Sequence, residues 1–483
     1  MKRATRILAT FAALVLIGCA TQHDATPVKT PFYQMIMDGV VLQENSTQTY
    51  CEDATLTSGK YDVVREKGGT AVFECKRLLR VTGLPTNDTP EPPEPPASGT
   101  WVTGQSTASE PTTPLPARGV ATPDPSFAQP VYRVSDGVDP PKTFARNDYS
   151  RRQAFNANNS RQLVFSENGY WHTYNANTFA YEKQLAGPAG DAEPQWNPTN
   201  PDLLYYLGTN GVGLKLYELN VAANTSRTVG DFGTRLKGRW PGANFAWTKS
   251  EGSPSKDARY WCFMVDDGNW NSVGVFTWDR DTDTILGYLD TKGDRPDHVS
   301  MSPSGQYCVV SGDSARGTTA YSPDFKTSKK LLPKSEHSDI ALDANGDDVF
   351  VSVDYQSSAG DVFMLNIKTG VRTTLFPSYI SGTARAFHFS GKAYGKPGWI
   401  LVSTYSDYGG PYKWMDRKIF LMELKAGATP YNIAWHRSTV PSYFFEPHAT
   451  ISRDGTRIAF TSGWGKTLTT DIHTFQVRIP AFP

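Results

Sequence analysis

Ile451-Ser-Arg-Asp-Gly-Thr-Arg457 runs directly into Ile458-Ala-Phe-Thr-Ser462, a tight turn followed by a run of strand-forming residues. Related stretches recur along the chain: Phe155-Asn-Ala-Asn-Asn-Ser-Arg161, Trp196-Asn-Pro-Thr-Asn-Pro-Asp202, Ser255-Lys-Asp-Ala-Arg259, Met301-Ser-Pro-Ser-Gly-Gln306, Leu342-Asp-Ala-Asn-Gly-Asp347 and Phe387-His-Phe-Ser-Gly391. Each couples a turn built on Asp, Asn, Ser or Gly to a following β-rich run such as Tyr307-Cys-Val-Val310 or Trp399-Ile-Leu-Val-Ser403. Their interval of roughly 40 to 65 residues is the length of a four-stranded blade with its loops. One such sheet cannot bury both faces alone, so neighbours must cover each other, and about seven of them close a ring without a long open edge. The expected fold class is all-β, a seven-bladed β-propeller over residues 128–483. The run Asp471-Ile-His-Thr-Phe-Gln-Val-Arg-Ile479 follows the last repeat, and Pro130-Val-Tyr-Arg-Val-Ser135 stands alone before the first. The orphan is expected to complete the last blade and pin the ring shut.

The turns resemble those of TolB-like propellers, in which a Ser-Pro-Asp-Gly type turn precedes a strand reading like Ile-Ala-Phe-Thr-Ser. The resemblance spans about 130 to 483 and is strongest at 451–462 and 301–311. It implies the fold. Function does not follow from it, because the turn is a structural device and such rings host binding proteins, peptidase gates and lyases alike.

At the other end, Lys2 and Arg3 precede an apolar run from Ile7 to Ile17 that stops at Leu16-Ile-Gly-Cys19. The run is too short for a mature spanning helix, and it resembles a bacterial lipoprotein signal, with the cysteine as the lipidated residue. Residues 1–18 then read as signal peptide, 19–30 as tether, and lipid on Cys19 as the only membrane attachment. Ala20 stands where an inner-membrane retention Asp would be, so the expected location is exported and outer-membrane-anchored, facing the periplasm or the surface. Export makes disulfides permissible. Residues 31–84 read as a small β-rich domain stapled by Cys51 and Cys75, since about 50 residues supply little core. Cys262 and Cys308 fall one residue out of register in neighbouring blades, and two buried thiols are expected there. Residues 85–127, with Pro90-Glu-Pro-Pro-Glu-Pro-Pro96, read as an extended linker.

Lys and Arg number 48 and Asp and Glu 48, so no basic surplus exists to displace phosphate counterions, and nucleic acid is not an expected partner. No Gly-x-Ser-x-Gly elbow, His-Glu-x-x-His, P-loop or Cys-x-x-Cys is present. Gly208-Thr-Asn-Gly-Val-Gly213 lacks dinucleotide-loop spacing and reads as a hairpin turn.

What remains is the register of the innermost strands, which line a propeller's channel. Counting from the large residue that opens each turn, Glu193, His298, Asp339 and His448 stand three before it, His337 and Glu446 five before, and His388 one after. All offsets are odd, and strand side chains alternate, so these groups share one direction. The chain has only 8 histidines, which makes four in one register an informative coincidence. Neutral imidazoles with carboxylates suit a divalent Mn, Ni, Fe or Zn ion. His337, His388 and His448 are the candidate metal ligands; Glu193, His298, Asp339, Arg152 and Glu446 are candidate ligand contacts. Polar residues in this place also make inter-blade hydrogen bonds, and that structural reading stands beside the metal one.

Three functions are compatible with this pattern. One is a lipoprotein whose ring binds a glycan or protein at the channel mouth. Another is a polysaccharide lyase, since the chain resembles oligogalacturonate lyases, propellers with a histidine-rich divalent-metal site in the channel. That resemblance implies β-elimination on uronate glycans; His298, His388 and Arg385 are the candidate catalytic groups, and Arg146, Arg151, Arg152 and Arg385 are expected to flank the mouth because they precede the first and sixth repeats. A hydrolase gate is the third and has the least support. The residues lean to binding, and enzymatic status stays open.

Overall fold

The computed structural model describes residues 101–479 apart from 143, 358–359, 380–384, 406–411, 440–442 and 467–470, together with Phe482 and the backbone of three earlier strands. Those strands, Val28–Met37, Val40–Ser46 and Phe73–Thr82, form an antiparallel sheet with the first in the middle. Cys75 lies on the third; Cys51 and Cys19, like the signal sequence, lie outside the described residues.

Seven further sheets of four or five antiparallel strands make the blades of a β-propeller. Their inner strands are, from blade 1 to blade 7, Ala145–Arg146, Gln195–Trp196, Ala243–Trp247, His298–Met301, Ser338–Leu342, Phe387–Ser390 and Thr450–Ile451. Middle strands are covered on both faces: every residue of Asp348–Asp354 and of Arg457–Ser462 is buried. Outermost strands such as Thr225–Asp231 and Thr284–Asp290 are mostly solvated. The core is therefore a set of apolar layers between blades, with Trp171, Trp278 and Trp435 fully enclosed.

The turns that announced the fold have a backbone reason for their composition. Gly305, Gly346 and Gly455 hold left-handed φ values of 78°, 81° and 80°, a region glycine enters without strain. Blades 1 and 3 place Asn159 and Ala258 at the same step with φ of 57° and 55°.

Closure is as the orphan strand foretold. Pro130–Arg133 pairs with the last strand, Phe475 opposite Arg133 and Val477 opposite Val131, so blade 7 is completed from the N-terminal side. Residues 101–127, expected as free linker, are extended but docked. Val102–Thr103 adds a fifth strand to blade 6 and Thr122–Pro123 a fifth to blade 7. Side chains reach out to this segment's carbonyls: Lys418 Nζ donates to Ser106 O at 2.9 Å, Arg437 Nη1 to Pro111 O at 2.7 Å and Trp464 Nε1 to Thr113 O at 3.1 Å. A proline-rich chain has unpaired carbonyls to offer, and these donors take them.

The two thiols expected at Cys262 and Cys308 are instead joined as a disulfide, with Cα atoms 5.7 Å apart. The register was read correctly and its consequence was inverted. In stacked blades the front of one sheet meets the back of the next, so side chains pointing to opposite faces of equivalent strands are the ones that meet.

Candidate metal centre

His388 sits on the inner strand of blade 6, while Glu446 and His448 precede that of blade 7. The three converge. Glu446 Oε2 accepts from His388 Nε2 at 2.8 Å and lies 3.1 Å from His448 Nε2, and one ligand atom from each falls within 4.8 Å of the others. The imidazole rings lie 4.3 Å apart, centre to centre. Burial holds His388 well below the usual imidazole range, helped by His337 and Arg151, and brings His448 down to about 3. Both are neutral, the form that ligates metals. His448 Nε2, the atom that faces Glu446, is buried without a well-formed hydrogen bond, as are the Nδ1 atoms of both rings, an expensive arrangement that a cation at the Nε2 side would relieve for that nitrogen. Two neutral imidazoles, one carboxylate and unsatisfied buried nitrogens fit a divalent cation.

Aromatic rings wall this cluster. Tyr149 contacts His388 at 5.3 Å and His448 at 5.0 Å, Tyr405 stacks on His388 at 4.5 Å, and Tyr443 lies 4.8 Å from His448. His337, expected as a ligand, stands just outside the trio, stacked on His388 at 4.9 Å. Its Nδ1–H donates to Phe387 O at 2.9 Å, which leaves the lone pair on Nε2. Glu446, expected only as a ligand contact, takes the place that His337 was given. Pro447 separates Glu446 from His448 in the segment that leads into the inner strand of blade 7, and His448, at a left-handed φ of 41°, turns its ring to the same point as the Glu446 carboxylate.

His298 belongs to a second cluster. Its Nε2 accepts from Arg151 Nη1 at 2.5 Å, and its Nδ1 lies 3.4 Å from Asp297 and 3.5 Å from Glu251. Arg151 also pairs with Glu251 at 3.1 Å. A guanidinium already occupies this trio of His, Asp and Glu, so its charge is balanced from within.

Glu193 and Asp339 share the three-before offset and share a role, which is structural. Glu193 accepts from the Thr248 N–H at 2.9 Å and the Ser250 N–H at 2.6 Å in blade 3. Asp339 accepts from Gly391 N at 2.7 Å and Lys392 Nζ at 2.9 Å in blade 6. Both clamp one blade to the next and neither joins the histidines. Arg385 is held by Asp416 at 2.6 and 3.1 Å, a buried fork already in use. Arg152 is likewise paired with Asp148 but lines a cavity of about 370 Å³ beside the histidines, together with Arg146, Phe165, Trp171, Tyr443, Phe444 and the carboxylates of Asp148 and Asp191. Arg146 lies 5.0 Å from the Phe165 ring centre and 5.8 Å from those of Tyr443 and Phe444. Aromatic faces with a guanidinium are the surfaces that acidic sugars stack on and pair with. The sequence reading did not find Tyr149 or Glu251, because blades 1 and 3 interpose extra segments between inner strand and turn; Arg151, expected at the mouth, is there beside His298.

No protein-family model matches the sequence, and no curated protein matches it. Among solved structures, an oligogalacturonate lyase in complex with manganese is similar over 76% of this chain and 99% of its own, at 14% identity and a TM-score of 0.53. The oligogalacturonate lyase from Vibrio parahaemolyticus is similar over the same shares at 10% identity and a TM-score of 0.54. TolB from Acinetobacter baumannii overlaps 59% of this chain and 64% of its own at 15% identity and a TM-score of 0.33. At these identities the likeness to the two lyases is one of fold.

Proposed function

We propose that the chain is a divalent-metal-dependent polysaccharide lyase that cleaves uronate-containing glycans by β-elimination. The observation that carries this is the convergence of two buried, neutral and incompletely hydrogen-bonded imidazoles, His388 and His448, with the Glu446 carboxylate, beside a cavity lined by aromatic rings, arginines and two carboxylates. The fold likeness to two oligogalacturonate lyases, one described with manganese, supports it.

His388, Glu446 and His448 would hold the cation, which when bound supplies a positive charge that stabilises the uronate carboxylate as negative charge develops on it. The sugar ring lies on Tyr443 and Phe444, with Arg146 beside its charge. His337 is the base. Its tautomer is fixed by Phe387 O, so Nε2 accepts the proton from the carbon next to the carboxylate. The electron pair left behind forms a carbon–carbon double bond, the bond from the neighbouring carbon to the glycosidic oxygen breaks, and that oxygen takes its proton from water while His337 later returns the abstracted proton to solvent. Export and lipidation at Cys19 belong to the same proposal, supported by Leu16-Ile-Gly-Cys19; the enzyme would then meet its glycan outside the cytoplasm.

The test is to mix purified protein with a panel of oligo-uronates, with and without chelator, and follow the ultraviolet absorbance of the unsaturated product. Metal-dependent absorbance on at least one acidic glycan is expected. Binding of a uronate without turnover would leave the second reading, a glycan-binding propeller, which the exposed rings of Tyr443 and Phe444 also suit.

A further inference from the structure

The channel has a second end. All inner strands run from the histidine face toward the turns, so the residues that follow them gather at the opposite face. There a cavity of about 540 Å³ opens, lined by Lys256 and Arg280 of blade 3, Tyr394 of blade 6 and Arg453 of blade 7, within the size range of small-molecule sites. Arg453 reaches across the axis, Nη2 donating to the Lys256 carbonyl at 2.6 Å, and its guanidinium lies 5.0 Å from the centre of the Tyr394 ring. The ring keeps the fork flat and oriented without neutralising it.

The charges here are unevenly paired. Among the described residues neither Arg453 nor Lys256 has a carboxylate within ion-pair distance, and only Arg280 does, at 3.0 Å from Asp281. The cavity's two carboxylates are engaged in their own turns. Asp257 accepts from Ser255 Oγ at 2.5 Å and Arg259 N at 3.1 Å, and Asp454 from Ser452 Oγ at 2.7 Å and Asn159 Nδ2 at 2.8 Å. A half-buried guanidinium and a neighbouring ammonium thus face an open space without a direct ion pair, with Asp257 acting on Arg453 and Asp348 on Lys256 only through space. We propose that this cavity binds a small anionic sugar, its carboxylate or phosphate held by Arg453 and Lys256. The site is separate from the histidine cluster and does not depend on the lyase reading.

Calorimetric titration of the full chain carrying His388→Ala, which disables the metal centre, tests this with four probes: glucuronate, glucose 6-phosphate, inorganic phosphate and uncharged glucose. Saturable binding of an anionic probe is expected, weakened at least tenfold by adding Arg453→Gln with Lys256→Gln, while glucose gives no heat. Binding of glucuronate alone assigns a carboxylate ligand; binding of both phosphates assigns a phosphate. If the double substitution lowers the melting temperature, Lys256→Glu alone, an exposed change, is read instead and should weaken binding by a similar factor. No saturable binding by any anion, or unchanged affinity in these variants, overturns the proposal.

Discussion

At the scale of single residues, one register position serves two ends. His448, Glu193, His298 and Asp339 occupy the same offset, yet Glu193 and Asp339 turn to the neighbouring blade's backbone while His448 meets His388 and Glu446. Removing a ligand should separate from removing the base. His388→Ala and His448→Ala are expected to lose at least tenfold in affinity for Mn²⁺ or Zn²⁺ by titration, whereas His337→Ala should retain the metal and lose turnover by a factor of 10² or more. Loss of metal in His337→Ala would move that imidazole back among the ligands. Glu193 gives a pH signature of its own. Burial is the largest influence on it and pushes it from an ordinary 4.5 up to about 7, against the hydrogen bonds from blade 3. A carboxyl whose folded pKa lies above its unfolded one contributes stability that is present in full below the unfolded value and lost as pH rises to the folded one. Wild-type stability should therefore fall between about pH 4.5 and 7 by about 3 kcal/mol relative to Glu193→Gln, measured by denaturant titration across that window. Parallel pH profiles for the two proteins would contradict it. Alternation along a strand was enough to collect the histidines; it could not say which odd-position side chain faces the axis and which the next blade, because that depends on how sheets rotate about the ring.

At the scale of elements, the turn chemistry was legible because it is local: Gly305, Gly346 and Gly455 mark the left-handed step in blades 4, 5 and 7, and Asn159 and Ala258 take it in blades 1 and 3. The disulfide was not, since the meeting of Cys262 and Cys308 is a property of two stacked sheets and of neither strand alone. It closes a loop with a sequence separation of 46, for which chain entropy gives about 4 kcal/mol. Cys262→Ser with Cys308→Ser is expected to cost roughly 2–4 kcal/mol in denaturant unfolding. Equal stability of oxidised wild type and double variant would count against the bridge. The inserted segments of blades 1 and 3 were the other blind spot. Tyr149 and Glu251 lie outside any repeat, so no periodicity could assign them to the channel; Arg151 was placed at the mouth only by its position just before the first repeat.

For the molecule as a whole, the repeat length fixed the ring and the unmatched strand fixed its closure. Val131, Tyr132 and Val134 are buried at 2%, 3% and 0% exposure within blade 7. Deleting residues 128–137 would expose them and leave an open edge on the last strand, with an expected loss on the order of 5 kcal/mol and a lower melting temperature. Unchanged melting would mean that the ring closes without them. The docking of residues 101–127 on blades 6 and 7 escaped composition, which reports that proline-rich chain is extended and is silent on what it lies against. The central claim, that the mouth of this ring holds a divalent cation, is most directly tested by anomalous diffraction from crystals of the protein grown with manganese. The account predicts a peak about 2 Å from nitrogens of His388 and His448 and from a Glu446 oxygen. A map without a peak there, with Glu446 still hydrogen-bonded to His388, would contradict it.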